Sequence, residues 1–572
     1  MKATQRHRPA PHPAGFAQTT LRVAAQGALA LLVSHSVYAQ LLPDAGDVAR
    51  DVAPIEALPL PSGETSLSHT QNEVNSPSAT QNTTPIPVRR IRVTGAHLYS
   101  TEVLEALVAD LDNGERTLAA LSDGAARITR FYRAHGWLLA YAYLPAQSIR
   151  DGNVEIRVVE GTLSEVRVET EPQSRLRTGV IDAHLASIER DAPLNQPQVD
   201  RALLLLSDLP GARLNASLAA GARPGETDLT VHSASAAVVS GELDADNYGS
   251  RYTGDARVGG VVNLNSPFGY GEQFSTHLLA SESNLYYGRF AGQVPLGSSG
   301  LSTGLSVTHT QYLLGSDFAD LDARGRADVA QWNIAYPFIR SVPFNVIGQF
   351  TSEYRNLFDG VGATSTDTHD RAFHQSFNLL ISGRDDLLGG ADTQAALRFG
   401  TGTLTVLSQP AATIDAAGAQ SDGHYDTFNV DLQRNQRLTS RWSLTLGGHA
   451  QLASRNLDSY QKFVLGGPNG ERAYPSGEGT GDEGWLTSAE LSYQVNPMLI
   501  PSVFYDVGGV TVNKHPYLDT TNSRVLHGGG VGVRGARGAF SWSATLAFRG
   551  AQHAQSEPDR PMQVWVHLGW GF

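Results

Sequence analysis

Hydrophobic and polar positions alternate along much of the C-terminal three-fifths of the chain. Trp442, Leu444, Leu446, Gly448, Ala450 and Leu452 share one face of a stretch whose other face carries Ser443, Thr445, His449 and Gln451. Trp542, Ala544, Leu546 and Phe548 likewise oppose Ser541, Ser543 and Thr545, and Met562, Val564, Val566, Leu568, Trp570 and Phe572 line one face of the last stretch. Alternation with period 2 predicts half-buried strands. A soluble sandwich alternates too, so periodicity alone leaves sandwich and barrel open. Residues 237–572 allow about 21 residues per strand if there are about 16 strands, against the roughly 9–11 that a tilted membrane-crossing strand needs.

Upstream the period changes. Val88–Val93 alternates as a strand; Val103, Leu104, Leu107 and Leu111, then Leu118, Leu121, Ala125, Ile128 and Tyr132, repeat at helical spacing; Leu138–Leu144 and Val154–Val159 read as strands, with Asp151-Gly152 as the turn between them. The same order restarts with a strand over Leu163–Val168. A helix follows through Ile181, Leu185 and Ile188, and a second opens at Pro197 and runs through Val199, Ala202, Leu203 and Leu206. Strands over Arg213–Ala219 and Thr227–Val231 close the repeat. Two tandem α+β modules are therefore expected, 88–161 and 162–236. Residues 40–87, rich in Pro, Ser, Thr, Asn and Gln, read as a linker with little to bury. Within it Leu41–Ala57 is the place for a short acidic helix. Residues 1–39 read as a secretory signal peptide: Lys2, Arg6, Arg8 and Arg22 supply charge, Val23–Val33 is a short apolar core, and Ala39 precedes the expected cut.

Composition narrows the classes. Of 572 residues only 17% are charged, 58 are glycine and none is cysteine, and the formal net charge is −13. No apolar run reaches the roughly 18 residues of a membrane-spanning helix. Lack of cysteine removes thiolate metal sites, disulfides and Cys nucleophiles, and the acidic balance argues against an obligate nucleic-acid binder. There is no phosphate-binding loop and no His-Glu-x-x-His pair, and the histidines show no ligand spacing. Gly300-Leu301-Ser302-Thr303-Gly304 matches a nucleophile-elbow pattern, but the alternating stretch around it provides no following helix. No catalytic residue, metal or cofactor is assigned, and the chain is not expected to be an enzyme.

The order of the modules, with Gly136-Trp137, Ala142-Tyr143-Leu144-Pro145, Val158-Val159-Glu160-Gly161 and later Gly225-Glu226-Thr227-Asp228-Leu229, resembles the POTRA domains of two-partner secretion transporters, the TpsB family. Further resemblances lie at Asn247-Tyr248-Gly249, at Asn265–Glu272, at Gly484-Trp485 with Glu490-Leu491, and at Val503–Gly508. The resemblance implies a mainly β protein: a C-terminal transmembrane barrel of about 16 antiparallel strands (237–572) behind two POTRA domains. It also implies export of a large secreted exoprotein carrying a secretion domain, without nucleotide hydrolysis, from the outer membrane of a Gram-negative bacterium. Outer-membrane lipid and the barrel assembly machinery are the other implied partners. An insertase for other barrels and a passive channel are the alternative readings.

The family carries a loop tetrapeptide near Val-Arg-Gly-Phe or Tyr, and here the matching stretch is Glu471-Arg472-Ala473-Tyr474. Arg and aromatic are kept, Val and Gly are not. Glu490 shares its polar face with Ser488 and Ser492, and Asp506 with Ser502 and Gly508, so both carboxylates are expected to face the lumen. The resemblance implies that Arg472 anchors an inward-folded loop between them, with Tyr474 beside it. It also implies that the terminal Trp570 and Phe572 serve as a barrel assembly signal. Val533-Arg534-Gly535 reads as part of a glycine-rich penultimate strand and not as the loop motif.

Overall fold

The computed structural model describes residues 42–53, 67–69, 84–149, 151–223, 225–234 and 236–572. The expected signal peptide and most of the linker lie outside the described residues.

Sixteen strands close on themselves as one antiparallel barrel. They are β1 (Val239–Asp246), β2 (Arg257–Asn265), β3 (Gln273–Ser281), β4 (Tyr286–Pro295), β5 (Ser302–Leu313), β6 (Ala323–Arg340), β7 (Phe344–Val361), β8 (Thr366–Asp385), β9 (Ala391–Val406), β10 (Gly423–Arg437), β11 (Trp442–Ala453), β12 (Glu483–Tyr493), β13 (Ile500–Thr511), β14 (Ser523–Arg537), β15 (Phe540–Arg549) and β16 (Met562–Gly571). Each pairs with its chain neighbour, and β1 closes on β16 with Leu243 opposite Trp570. Closure leaves no sheet edge in the membrane, where unpaired backbone groups would find no water. The alternation read in the sequence maps onto the two faces. Leu305, Val307, Phe377, Val503, Tyr505 and Trp570 stand exposed on the outer wall, whereas Thr310, Arg355, Asn378 and Asp506 are buried on the inner one. The glycine-rich strand around Val533-Arg534-Gly535 is β14, third from the end and not penultimate, because Phe540–Arg549 forms a strand of its own.

The first α+β module is built on a sheet in the order Arg90–Thr94, Asn153–Val159, Tyr141–Tyr143, covered by helices Thr101–Ala106 and Leu118–Ala134. Its core gathers Ile91, Leu104, Leu121, Ile128, Tyr132 and Ile156. Glu160, from the motif before the second module, is nearly buried. It accepts from the backbone N–H of His97 and Leu98 at 2.7 Å each and from the Tyr132 hydroxyl at 3.0 Å. Burial, and next the Glu160 contact, push the Tyr132 phenol well above its ordinary range. The strand expected over Leu138–Leu144 is confined to Tyr141–Tyr143, because Leu138 and Leu139 pack on the core of the next module instead.

That second module has the sheet order Leu67–His69, Arg213–Ala220, Glu226–Ala234, Thr162–Thr170, with helices Thr178–Leu185 and Gln196–Ser207. Asn195 caps the latter helix through the Gln198 N–H, and Pro197 fills its first turn. The segment read as linker thus contributes an edge strand. It also contributes helix α1 (Ala45–Val52), which is capped by Asp44 and lies inside the barrel. Its buried Ala45, Val48, Ala49 and Val52 pack on inward Tyr287, Tyr312, Ala327 and Leu357.

The second module is latched to the periplasmic turns of the barrel. Arg340, at the end of β6 and with its side chain 3% exposed, donates through Nε and Nη2 to the two carboxylate oxygens of Asp208 at 2.7 Å each. Arg201 donates to the Pro337 carbonyl at 3.0 Å, beside a register shift between Pro337 and Ile339. On the other side Arg177 donates to the Phe268 carbonyl at 3.0 Å and lies over the Tyr270 ring. Asp208→Ala leaves Arg340 with Asn345 alone and is expected to weaken this docking by about 2 kcal/mol. Faster amide exchange across Gln196–Ser207 in the full chain reads the loss, and the charge swap Asp208→Arg with Arg340→Asp is expected to recover part of it.

Candidate functional site

The segment between β11 and β12 leaves the extracellular rim and turns back into the lumen. Phe463–Val464 pairs with Thr480–Gly481, making a small hairpin stem. Its tip is closed by Glu471 N–H donating to the Leu465 carbonyl at 2.7 Å and Tyr474 N–H to the Glu471 carbonyl at 3.2 Å. The stem and tip bury Phe463, Leu465, Ala473 and Tyr474 against Phe504, Val510, Leu526 and Ala547 of the wall. Two inward glycines make this close approach possible. A Cβ on Gly508 would lie 2.3 Å from Leu465 Cδ1, and one on Gly528 would lie 2.4 Å from the Ala473 methyl.

At the tip, Arg472 meets both carboxylates. Its Nε and Nη2 donate to the two oxygens of Asp506 at 2.8 and 2.9 Å, and its Nη1 donates to Glu490 Oε2 at 2.6 Å. The guanidinium carbon sits 3.5 Å from the centre of the Phe504 ring. The Arg472 carbonyl accepts from the Trp565 indole at 2.7 Å, so one loop residue touches β12, β13 and β16. A planar, permanently charged fork fits this pair of carboxylates and the ring at once; a lysine would satisfy only part of the set. Glu490 and Asp506 converge because Ser488 faces Asp506 and Glu490 faces Phe504 in the β12–β13 register.

The other candidates lie elsewhere. Tyr474 is fully buried beside the ion pairs without joining them, and its hydroxyl donates to the Gln552 carbonyl at 2.9 Å. Trp570 and Phe572 stand half exposed on the outer wall, their ring centres 5.9 Å apart. Phe572 exchanges backbone hydrogen bonds with Gly241 of β1 at 2.9 and 3.0 Å, at the seam that closes the barrel.

Sequence reasoning set Arg534 aside, yet it belongs to the site. It donates to Glu490 Oε1 at 2.9 Å and to the Ser492 hydroxyl at 3.3 Å. Its parity with Gly528 and Gly532 on the inner face was the available signal. Glu478 was missed as well. Its fully buried carboxylate is bonded by Arg524, accepts the N–H groups of Gln555 and Ser556 at 2.8 and 2.7 Å, and ties the inward loop to the loop between β15 and β16. Glu471 is fully buried with neither carboxylate oxygen accepting a hydrogen bond, at the position where the resembling family carries Val.

The same loop also touches the helix in the lumen. Ser459 Oγ donates to Asp44 at 2.5 Å, Arg50 donates to the Ser459 carbonyl at 2.5 Å, and Ala45 N–H donates to Asp359 of β7 at 2.8 Å. Loop and helix together occupy the interior of the barrel.

A sequence model described as haemolysin secretion/activation protein ShlB/FhaC/HecB matches residues 225–535, and one described as POTRA domain, ShlB-type matches residues 86–161. The chain belongs to the ShlB/FhaC/HecB family of haemolysin secretion/activation proteins. It is 26% identical over 503 residues to the heme/hemopexin transporter protein HuxB of Haemophilus influenzae strain Rd, covering 85% of this chain and 87% of that one. The outer membrane transporter CdiB of Dickeya dadantii is 21% identical over 552 residues, covering 88% and 90%. Among solved structures, CdiB from Escherichia coli superposes with a TM-score of 0.67 at 17% identity over 96% of this chain and 98% of that one. BamA from Haemophilus ducreyi lacking POTRA domains 1–3 reaches 0.53 at 14% identity, over 86% and 100%. Membership of this family makes the protein a two-partner secretion transporter of the outer membrane, with its POTRA modules on the periplasmic side.

Asp506→Asn removes one of two charges that neutralise a mostly buried guanidinium and is expected to cost the docked loop roughly 3 kcal/mol. Tyr474→Phe removes one hydrogen bond and is expected to cost about 1 kcal/mol. Hydrogen exchange of the loop amides at 463–481 in the detergent-solubilised protein measures both, and the first variant should open the loop more than the second.

Proposed function

We propose that the protein captures an unfolded, large secreted exoprotein on its POTRA modules and passes it through the barrel, with the loop carrying Arg472 anchored on Glu490 and Asp506 as the element that organises the passage. The observation that carries this reading is the double engagement of Arg472 inside the lumen. A transporter for an extended chain needs an obstruction with a defined resting position. The inner wall offers Ser, Thr, Asn and Gln side chains, polar enough to keep a sliding backbone hydrated, beside charged groups that pair with one another, as Arg257 does with Asp246 and Arg398 with Asp431. The sequence carries no phosphate-binding loop, so export is proposed to run without nucleotide hydrolysis, drawing on folding of the exoprotein outside the cell. The exposed apolar outer wall is proposed to meet lipid directly, and Trp570 with Phe572 at the seam to be read by the barrel assembly machinery during insertion.

Arg472→Ala is expected to reach the outer membrane at wild-type level as a folded barrel and to lose export of the exoprotein. The measurement is the amount of exoprotein in the medium per folded transporter; normal export by the variant would remove Arg472 from the mechanism. Deleting the transporter should deplete one large protein from the medium and leave other outer-membrane barrels unchanged. A general loss of barrels would favour the insertase reading instead.

A further inference from the structure

The short periplasmic turn between β8 and β9 carries Leu387, 67% exposed, and Leu388, at 84% the most exposed large apolar side chain among the described residues. Leu388 also stands in the left-handed region, at φ 51° and ψ 35°. The other non-glycine residues with positive φ among the described residues are Asn, Asp, Ser and Gln. Glycine and asparagine take that conformation at less cost, so a leucine here is unfavourable twice, in its backbone and in the water it would face. The turn itself is held firmly. Gln436 shares the outer face of β10 with the exposed Phe428 and Leu432, yet is only 6% exposed because the turn lies over it. Its Nε2 donates to the carbonyls of Leu387 and Gly390 at 2.9 and 3.1 Å, and its Oε1 accepts from Arg434 Nη2 at 2.9 Å. Arg434 donates in turn to the two oxygens of Asp385 at 2.8 and 3.1 Å and to the Thr393 hydroxyl at 2.7 Å. Gly389 passes so close to β10 that a Cβ on it would lie 2.7 Å from the Arg437 carbonyl. The turn is therefore folded against the outside of the barrel and not over the lumen, and a satisfied polar network fixes it there while its two leucines project.

We infer that Leu387 and Leu388 form an anchor that inserts into the phospholipid of the periplasmic leaflet. The inference rests on the lipid-facing outer wall proposed above and extends it to a turn beyond the strand ends. Continuity with that wall identifies the occupant: outward Phe377 on β8, Phe399 on β9 and Leu432 on β10 form the exposed apolar surface immediately above the turn. The neighbouring turn marks the level of the lipid headgroups. There Trp442 packs on Tyr493 with ring centres 4.8 Å apart, and Arg441 donates to the Tyr493 hydroxyl at 3.1 Å. Tryptophan and tyrosine with a nearby cation are the side chains that gather at that boundary. The charges next to the leucines are already paired, Arg434 with Asp385 and Arg384 with Asp392. Attraction to the leaflet is therefore apolar and does not select the charge of the headgroup. As the eighth and ninth of sixteen strands, β8 and β9 lie halfway round the barrel from the seam of β1 and β16. The anchor thus fixes the depth of the wall opposite the seam, one turn along from the Arg340 contact that carries the second module.

The native chain has no cysteine, so a single introduced one takes a label without background. Leu388→Cys in the full-length protein is labelled with a nitrobenzoxadiazole dye and reconstituted into vesicles of phosphatidylethanolamine and phosphatidylglycerol, with and without bromine on the acyl chains. The dye is expected to emit at shorter wavelength than in water, to be quenched by the brominated lipid and to be shielded from aqueous iodide. The same quenching is expected when phosphatidylglycerol is left out. Phe377→Cys, in the middle of β8, should be quenched by the brominated lipid as well, and Arg92→Cys on the first module by iodide alone. Leu387→Cys, whose backbone is not left-handed, repeats the measurement should Leu388→Cys fail to fold. Gln436→Ala releases the turn from the outer face and should lower the lipid quenching at Leu388→Cys while leaving that at Phe377→Cys unchanged. Iodide quenching at Leu388→Cys together with lipid quenching at Phe377→Cys would overturn the inference and leave the wall in lipid. A dye at Leu388→Cys that neither reagent reaches would mean that protein covers the turn, and would overturn it too. Loss of lipid quenching at Phe377→Cys would bring down the outer-wall reading and the anchor with it.

Discussion

The resting interior depends on one desolvated guanidinium that has to be neutralised in a fixed place. Ordering a loop inside a wide, wet barrel costs of order 1–2 kcal/mol per residue in backbone entropy. Burying Phe463, Leu465, Ala473 and Tyr474 against the wall offsets part of this. That burial is non-directional, and the same side chains would pack on other apolar ground. Arg472 is not so tolerant. Removed from Asp506 and Glu490 it strands the fully buried Asp506 and its own charge, Glu490 keeping Arg534, and breaking such a pair costs more than forming it yields. Apolar contacts supply the energy of the docked loop; the ion pairs supply its address.

Much of this was legible because the barrel obeys a strict rule. Side chains point alternately to lipid and lumen, so the parity of Glu490 and Asp506 placed both inward, and the loop arginine was the cation in reach. Parity also placed Arg534 inward, but its partner depends on the β13–β14 register, in which Ile500 faces Arg534, and register is a property of the closed sheet. The sockets at Gly508 and Gly528 are invisible for the same reason: a glycine in a strand says that something comes close, not what. Leu67–His69 left no trace at all, since a strand held by backbone hydrogen bonds to an existing edge needs no apolar pattern of its own. The shortened strand at Tyr141–Tyr143 shows the opposite effect. Leu138 and Leu139 lay inside the expected strand and were claimed by a neighbouring core.

The departures from the family tetrapeptide have a local account. Ala473 in place of Gly adds a methyl, and Gly528 opposite leaves room for it. Glu471 in place of Val puts a carboxyl into a fully buried position without a donor. A buried polar group without a partner lowers stability, so this position weakens the docked loop and counterbalances the strength of the neighbouring Arg472 contacts.

The two occupants of the lumen are held unequally. The helix Ala45–Val52 buries only alanine, glycine and valine and relies on Asp44, Ser459, Arg50 and Asp359 for position. The loop buries two aromatic rings and a leucine, pairs Arg472 twice, and is tied by Glu478 to the adjoining loop. With only alanine, glycine and valine to bury, the helix has less apolar surface to hold it than the loop has. Its polar contacts run to the base of that loop at Ser459, not to the tip at Arg472. The contacts between helix and loop are those of Ser459 with Asp44 and Arg50 and the packing of Tyr460 on the helix cluster, and the Arg472 anchor takes no part in them. The two obstructions are therefore anchored at separate places, the helix on β7 and the base of the loop, the loop tip on β12, β13 and β16.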